Sequence, residues 1–184
     1  MSQPTLSTNG NGGLSADDSQ ARMRVLEGIA GQLLDRCRAA GASQAEVSAS
    51  QEHGLSVNVR MGSVDVVEST RDRGIAVTVY FGKRKGSAST ADLREESLAA
   101  TVGQACAIAR HTEDDPASGL ADPELMATEV LEFDGWHPWG MDADRALDIA
   151  LACEQAGREH DARIENIHSF PTRRSSDLNR KSVV

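Results

Sequence analysis

The chain has 184 residues, enough for one domain or one and a part. Its composition, 39% hydrophobic and 26% charged, is that of an ordinary globular protein, but aromatics reach only 3%, so the core has to be built from Val, Leu, Ile and Ala. A net charge of −9 argues against a general nucleic-acid binder, which needs a basic face to displace counterions, and no apolar run approaches the length of a membrane span.

In chain order, residues 1–17 are rich in Ser, Thr, Asn and Gly and predict a disordered tail. The opening segment MSQPTLSTNGNGG lacks the apolar core of a signal peptide, so a cytoplasmic location is the default expectation. A helix is predicted from Asp18 to Ala40, with Val25, Leu26, Ile29, Leu33, Leu34 and Cys37 as its apolar stripe and Gly41 as its stop. Gly28 and Gly31 weaken this helix and mark either a close approach to a sheet or a helix held by packing.

From Ala45 to Thr90 apolar and polar residues alternate. Leu55, Val57, Val59 and Met61 share one face of a strand, as do Ile75, Val77, Val79 and Phe81. His53-Gly54, Gly62-Ser63, Asp72-Arg73-Gly74 and Gly82-Lys83 read as turns. The expected fold class is therefore α/β (α+β): an antiparallel β-meander of about five strands packed by flanking helices.

A second helix is expected over Arg94–His111. Its inner face is Leu98, Thr101, Val102, Ala105, Ile108 and Ala109, with Glu95, Glu96 and Arg110 placed to suit the helix dipole. Thr112–Met141 reads as a crossing loop. A third helix is expected over Asp142–His160, facing inward through Ala146, Ile149, Cys153 and Ala156 and capped by Asp142 or Asp144.

Little in the chain resembles catalytic chemistry. His53, His111, His137, His160 and His168 are scattered, and none forms the pair of His four residues apart, with a Glu between them, that would let two imidazoles reach one zinc. His160-Asp161 reads as a solvated helix end. Trp136-His137-Pro138-Trp139 reads as aromatic anchors for a long loop. Lys85-Gly86-Ser87 has the wrong order for a phosphate loop and sits in a strand, where small residues more often permit close packing. Ser87 and Ser89 have no His and Asp nearby to suggest a nucleophile. Adjacent acid pairs such as Glu95-Glu96 and Asp114-Asp115 do not share a helix face. Cys37, Cys106 and Cys153 are odd in number and far apart, and read as reduced, buried thiols acting as small hydrophobes. No catalytic, cofactor-binding or metal-ligating residue is assigned.

Several separated blocks resemble the N-terminal domain of the TldD/PmbA family of metallopeptidase subunits. Gly41–Ser50 is similar to its first strand and Arg73–Tyr80 to its central strand. Arg84–Leu93, RKGSASTADL, is the most distinctive match, and its basic turn favours the PmbA (TldE) branch. Ala109–Thr112, Asp114-Asp115-Pro116, Gly119–Asp122 and His137-Pro138 continue the resemblance, which runs from about Ala21 to Ile167.

The resemblance implies two-lobed subunits two to three times this length, pairing a PmbA-like chain with a TldD-like chain. The TldD-like partner would carry the His-Glu motif and the zinc and thread unfolded peptide through an enclosed cleft. The family is also linked to peptide-antibiotic maturation, antitoxin degradation and modulation of DNA gyrase. Within this chain the resemblance implies a wall of the cleft and part of the subunit interface, with a TldD-like chain or by self-association as the partner contact, and no cofactor of its own; the acidic charge and the lack of a long apolar run predict no direct nucleic acid contact and no membrane contact. It assigns 18–111 to the N-terminal α/β domain and 112–167 to the start of a middle region. Residues 168–184 are expected to be a non-native tail, because His168–Leu178, HSFPTRRSSDL, matches the translation of a sequencing adapter. The alternative is a non-enzymatic, protein-binding regulatory module whose acidic balance suits a basic protein.

Overall fold

The computed structural model describes residues 16–126 and 140–183. Most of the expected Met1–Asp17 tail and the Trp136–Trp139 loop lie outside these residues. Among the described residues three α-helices, α1 (Ala16–Ala39), α2 (Glu95–His111) and α3 (Ala143–His160), and a short 3-10 turn (Pro123–Leu125) accompany five strands: β1 (Gln44–Arg60), β2 (Ser63–Phe81), β3 (Arg84–Thr90), β4 (His168–Ser169) and β5 (Thr172–Val183). The sheet order is β3-β2-β1-β4, with β5 also pairing β1. The mixed α/β class is as expected. The helix boundaries fall within two residues of those read from periodicity, and Asp142 caps α3 by accepting the Arg145 amide at 2.9 Å.

The meander is simpler than its turn signals suggest. His53-Gly54 lies inside β1 and Asp72-Arg73-Gly74 inside β2, so residues 44–90 form three strands, two of them 17 and 19 residues long. The two long strands are hydrogen-bonded neighbours in the sheet, and pairing of this kind satisfies backbone groups that a turn would otherwise have to satisfy. The turns at Gly62 and Gly82 are real. Met61 (φ 53°) and Gly62 (φ 73°) form a two-residue hairpin loop in which both residues have positive φ, as a type I′ turn requires.

The chain divides into two compact units. One contains α1, the first half of β1, the second half of β2, β3 and α2. Its core joins Leu26, Ala30, Leu33, Leu34 and Cys37 of α1 to Ala45, Val47 and Ala49 of β1, Ile75, Val77 and Val79 of β2, and the inner face of α2. β2 and β3 pair antiparallel from Ile75↔Thr90 to Phe81↔Arg84. The register places Gly86 beneath α2, where a Cβ would stand 2.2 Å from the Ala105 carbonyl oxygen and 2.4 Å from the Ala109 nitrogen. Glycine is required there because the helix backbone rests on the strand. Gly28 and Gly31 have no such neighbour, so α1 is held by its packing.

The other unit holds the end of the β1–β2 hairpin, α3 and β4. Val57, Val59, Met141, Ala146 and Ala150 form its core, with Leu55, Leu147 and Leu151 alongside. α3 therefore turns a different face inward from the expected one. Ile149 is partly exposed and Cys153 is exposed, while Ala146, Ala150 and Glu154 are buried. In α1 Val25 points outward and Ala30 inward, and in α2 Cys106 takes the buried place expected of Ile108.

Candidate functional site

The basic turn after β2 is a tether. Lys83 Nζ donates to the Ser118 carbonyl at 3.0 Å, and the Asp115 amide returns a bond to the Lys83 carbonyl at 3.2 Å. Arg84 donates to the Arg110 carbonyl at 3.3 Å and faces Asp114 at 3.7 Å. Arg110 in turn donates to the Ala40 carbonyl at 3.1 Å and lies 5.0 Å from the centre of the Phe81 ring, a cation–π distance. These bonds fasten the loop after α2 to the strand and to the end of α1. Phe81, Lys83, Arg84, Thr112, Glu113 and Asp114 line only a shallow, open depression. The phosphate-loop alternative has no geometry to support it, since Ser87 hydrogen-bonds across the ladder to Thr78 at 2.9 Å.

The segment from Thr90 to Ser97 builds the entrance to α2. Asp92 accepts the Arg94 amide at 3.0 Å, the Arg94 Nε at 2.8 Å and the Ser97 hydroxyl at 2.7 Å. The bonds from Arg94, with the Ser97 hydroxyl adding to them, hold the Asp92 carboxyl well below the usual carboxylate range. Glu95 pairs with Arg36 of α1, which ties the two helices of this unit together. The RKGSASTADL block thus carries three structural jobs: it docks a loop, seats a helix backbone and, through Asp92, fixes the residues that lead into that helix.

Cys37 and Cys106 are both buried in this unit. Burial, with the neighbouring Cys106 thiol as a smaller contribution, pushes the Cys37 thiol up to about 11. Burial also raises Cys106, partly offset by Arg110. Both are poor nucleophiles at neutral pH.

The second unit contains a feature that sequence reasoning missed. Glu154 is only 1% exposed, although it sits on a helix whose pattern placed it outside. Its Oε2 accepts the Gly62 amide of the hairpin turn at 2.7 Å, while its Oε1 has no hydrogen-bond partner. A cleft of about 690 Å³ beside it is lined by Leu151, Gln155, Arg158, Ala162 and Ile164 among others. The only available signal was the row Ala146, Ala150, Glu154 at four-residue spacing, and a carboxylate at its end argues against burial.

His160 ends α3, and its neighbour Asp161 is engaged by Arg163 at 2.6 Å. Among the described residues no three His, Cys, Asp or Glu are grouped to hold a metal ion, and no helix is long and apolar enough to cross a membrane.

Residues 45–109 match the family model described as PmbA/TldA metallopeptidase domain 1. Metalloprotease PmbA of Escherichia coli O157:H7 is 40% identical over 148 residues, which is 80% of this chain and 32% of that protein. The chain belongs to the TldD/PmbA family. A Bacteroides thetaiotaomicron protein described as a modulator of DNA gyrase shares the fold with a TM-score of 0.73 at 18% identity, over 91% of this chain and 37% of its own. TldE from Thermococcus kodakarensis does so with a TM-score of 0.62 at 12% identity, over 83% and 34%. The chain thus spans about a third of the length of these TldD/PmbA relatives.

Proposed function

We propose that this chain is the N-terminal part of a PmbA/TldE-like subunit of a TldD/PmbA zinc metallopeptidase complex that processes peptides. Its own contribution is structural: it forms part of the cleft wall and of the contact with a TldD-like subunit. The 40% identity to Metalloprotease PmbA over 148 residues carries the reading. The described residues do not fit a zinc site, so no catalytic step is routed through them, and in this reading the TldD-like subunit holds the metal.

The outer edge of β2 supports the interface role. β3 pairs with β2 only from Ile75 onward, and Ser63–Arg73 are exposed throughout. Val64, Val66 and Val67 are 47%, 50% and 52% exposed, and no proline or lysine guards this stretch of edge. Such an edge invites a partner.

The test is co-purification of the full-length gene product with a TldD-like subunit from the same source, alongside the Val66→Lys variant. A stoichiometric complex that cleaves unfolded peptide, weakened at least tenfold by Val66→Lys with an unchanged melting midpoint, is the expected result. A monomer that ignores the TldD-like chain would sink the reading. Resequencing the codons for 160–184 identifies which full-length gene to express.

A further inference from the structure

The outer edge of β2 carries a charge pattern that complements its own reverse. β3 leaves this edge at Thr90, opposite Ile75, and among the described residues no strand takes its place beside Ser63–Arg73. Every residue from Ser63 to Arg73 is exposed. Val64, Val66 and Val67 lie within this stretch, each about half exposed. A row of unpaired backbone donors and acceptors with apolar side chains among them is a template for another strand.

The charges decide which strand. The segment Asp65-Val66-Val67-Glu68-Ser69-Thr70-Arg71 is acidic at its start and basic at its end. Among the described residues Asp65, Glu68 and Arg71 make no ion pair. Successive side chains of a strand alternate faces, so Asp65, Val67, Ser69 and Arg71 share one face and Val66, Glu68 and Thr70 share the other. Two such strands laid antiparallel and centred on Glu68 set Asp65 of each copy directly opposite Arg71 of the other. Val66 then meets Thr70, Val67 meets Ser69 and Asp72 meets Val64. The two Glu68 side chains are the one pair of like charges directly opposite, and they lie on the other face. A parallel, in-register pairing sets Asp65, Glu68 and Arg71 each against its own copy. Sliding the antiparallel pair by two residues sets Asp65 opposite Ser69, or opposite Arg73, whose guanidinium already donates to the Ala91 carbonyl at 3.1 Å. Opposite charges across a ladder stabilise it and like charges destabilise it, so the pattern selects one register.

We propose that this edge pairs with the same edge of a second copy of the chain, antiparallel and centred on Glu68, to form a two-fold dimer. The interface is isologous, so the Asp65–Arg71 contact occurs twice. Backbone hydrogen bonds hold the two strands together, and the two charge pairs fix their register. Every residue involved lies on one strand of this chain, so the pairing does not require the peptidase reading. A second copy and a TldD-like subunit docked on this edge exclude one another.

The experiment is sedimentation equilibrium of the intact chain alone over a concentration series. The expected result is a monomer–dimer equilibrium with a dissociation constant of about 100 µM or tighter. Arg71→Asp and Asp65→Arg each place like charges opposite one another twice, and each should weaken the dimer by about tenfold or more. The double variant Asp65→Arg with Arg71→Asp restores both pairs with their signs exchanged, and should return the dissociation constant to within about threefold of wild type. Glu68→Gln removes the like pair at the centre and should tighten the dimer. All three positions are exposed, so melting midpoints near that of wild type confirm that the variants fold. A chain that stays monomeric throughout the series would overturn the proposal. So would a dimer indifferent to the single variants, or one that the double variant fails to rescue, because either places the contact elsewhere.

Discussion

Replacing Gly86 by alanine tests the packing argument most directly. The added Cβ would lie 2.2 Å from the Ala105 oxygen, 2.4 Å from the Ala109 nitrogen and 2.9 Å from the Ala109 Cα. All three are backbone atoms, so no side-chain rotation relieves the overlap. Carbon atoms pack at about 3.5–4.0 Å, so α2 has to lift by about 1 Å or more. Leu98, Val102, Ala105, Cys106 and Ala109 would then lose contact with the sheet together. Overpacking a core costs about 1–3 kcal/mol, and a rigid backbone obstacle belongs at the upper end. A loss of about 3 kcal/mol lowers the melting midpoint by about 6–12 °C in a chain of this size. The control is Gly103→Ala in the middle of the same helix, where a Cβ meets nothing within 4 Å. That change should stabilise by about 0.5–1 kcal/mol through helix propensity. Urea denaturation of both variants measures the contrast. A Gly86→Ala chain within about 1 kcal/mol of wild type would refute the claim that the helix backbone rests on this position.

Met61→Asn replaces an exposed residue held at φ 53° by one suited to the first position of a type I′ turn, and urea titration should show a gain of about 0.5–1 kcal/mol. A thiol reagent on the native chain should modify Cys153 at once and Cys37 and Cys106 only on unfolding; three equally fast thiols would contradict the burial pattern. Because the Cys37 thiol is raised from 9.0 to about 11, the unfolded chain loses that proton first, so its contribution to stability is complete below pH 9 and is lost as pH rises toward about 11. Cys37→Ala should flatten that alkaline slope in a pH series of melting midpoints.

The helices and the face-alternating strands were legible in the sequence because periodicity is local chemistry. Ile75, Val77 and Val79 must share a face in any strand, and Asp142 can cap a helix wherever that helix packs. The need for a small residue at Gly86 could be guessed, since glycine inside a strand pattern suggests a close approach. The helix that approaches it could not be guessed, because that depends on the β2–β3 register. The turn signals at His53-Gly54 and Asp72–Gly74 misled because glycine permits a turn without requiring one, and a long partner strand kept both segments extended. The inward face of α3 was also decided in three dimensions. Counting apolar residues favoured Ile149 and Cys153, but the helix packs through Ala146 and Ala150 and carries Glu154 inward to meet the Gly62 amide. The partner of that carboxylate, 92 positions away along the chain, leaves no trace in local pattern, because it is a backbone group that every residue but proline possesses.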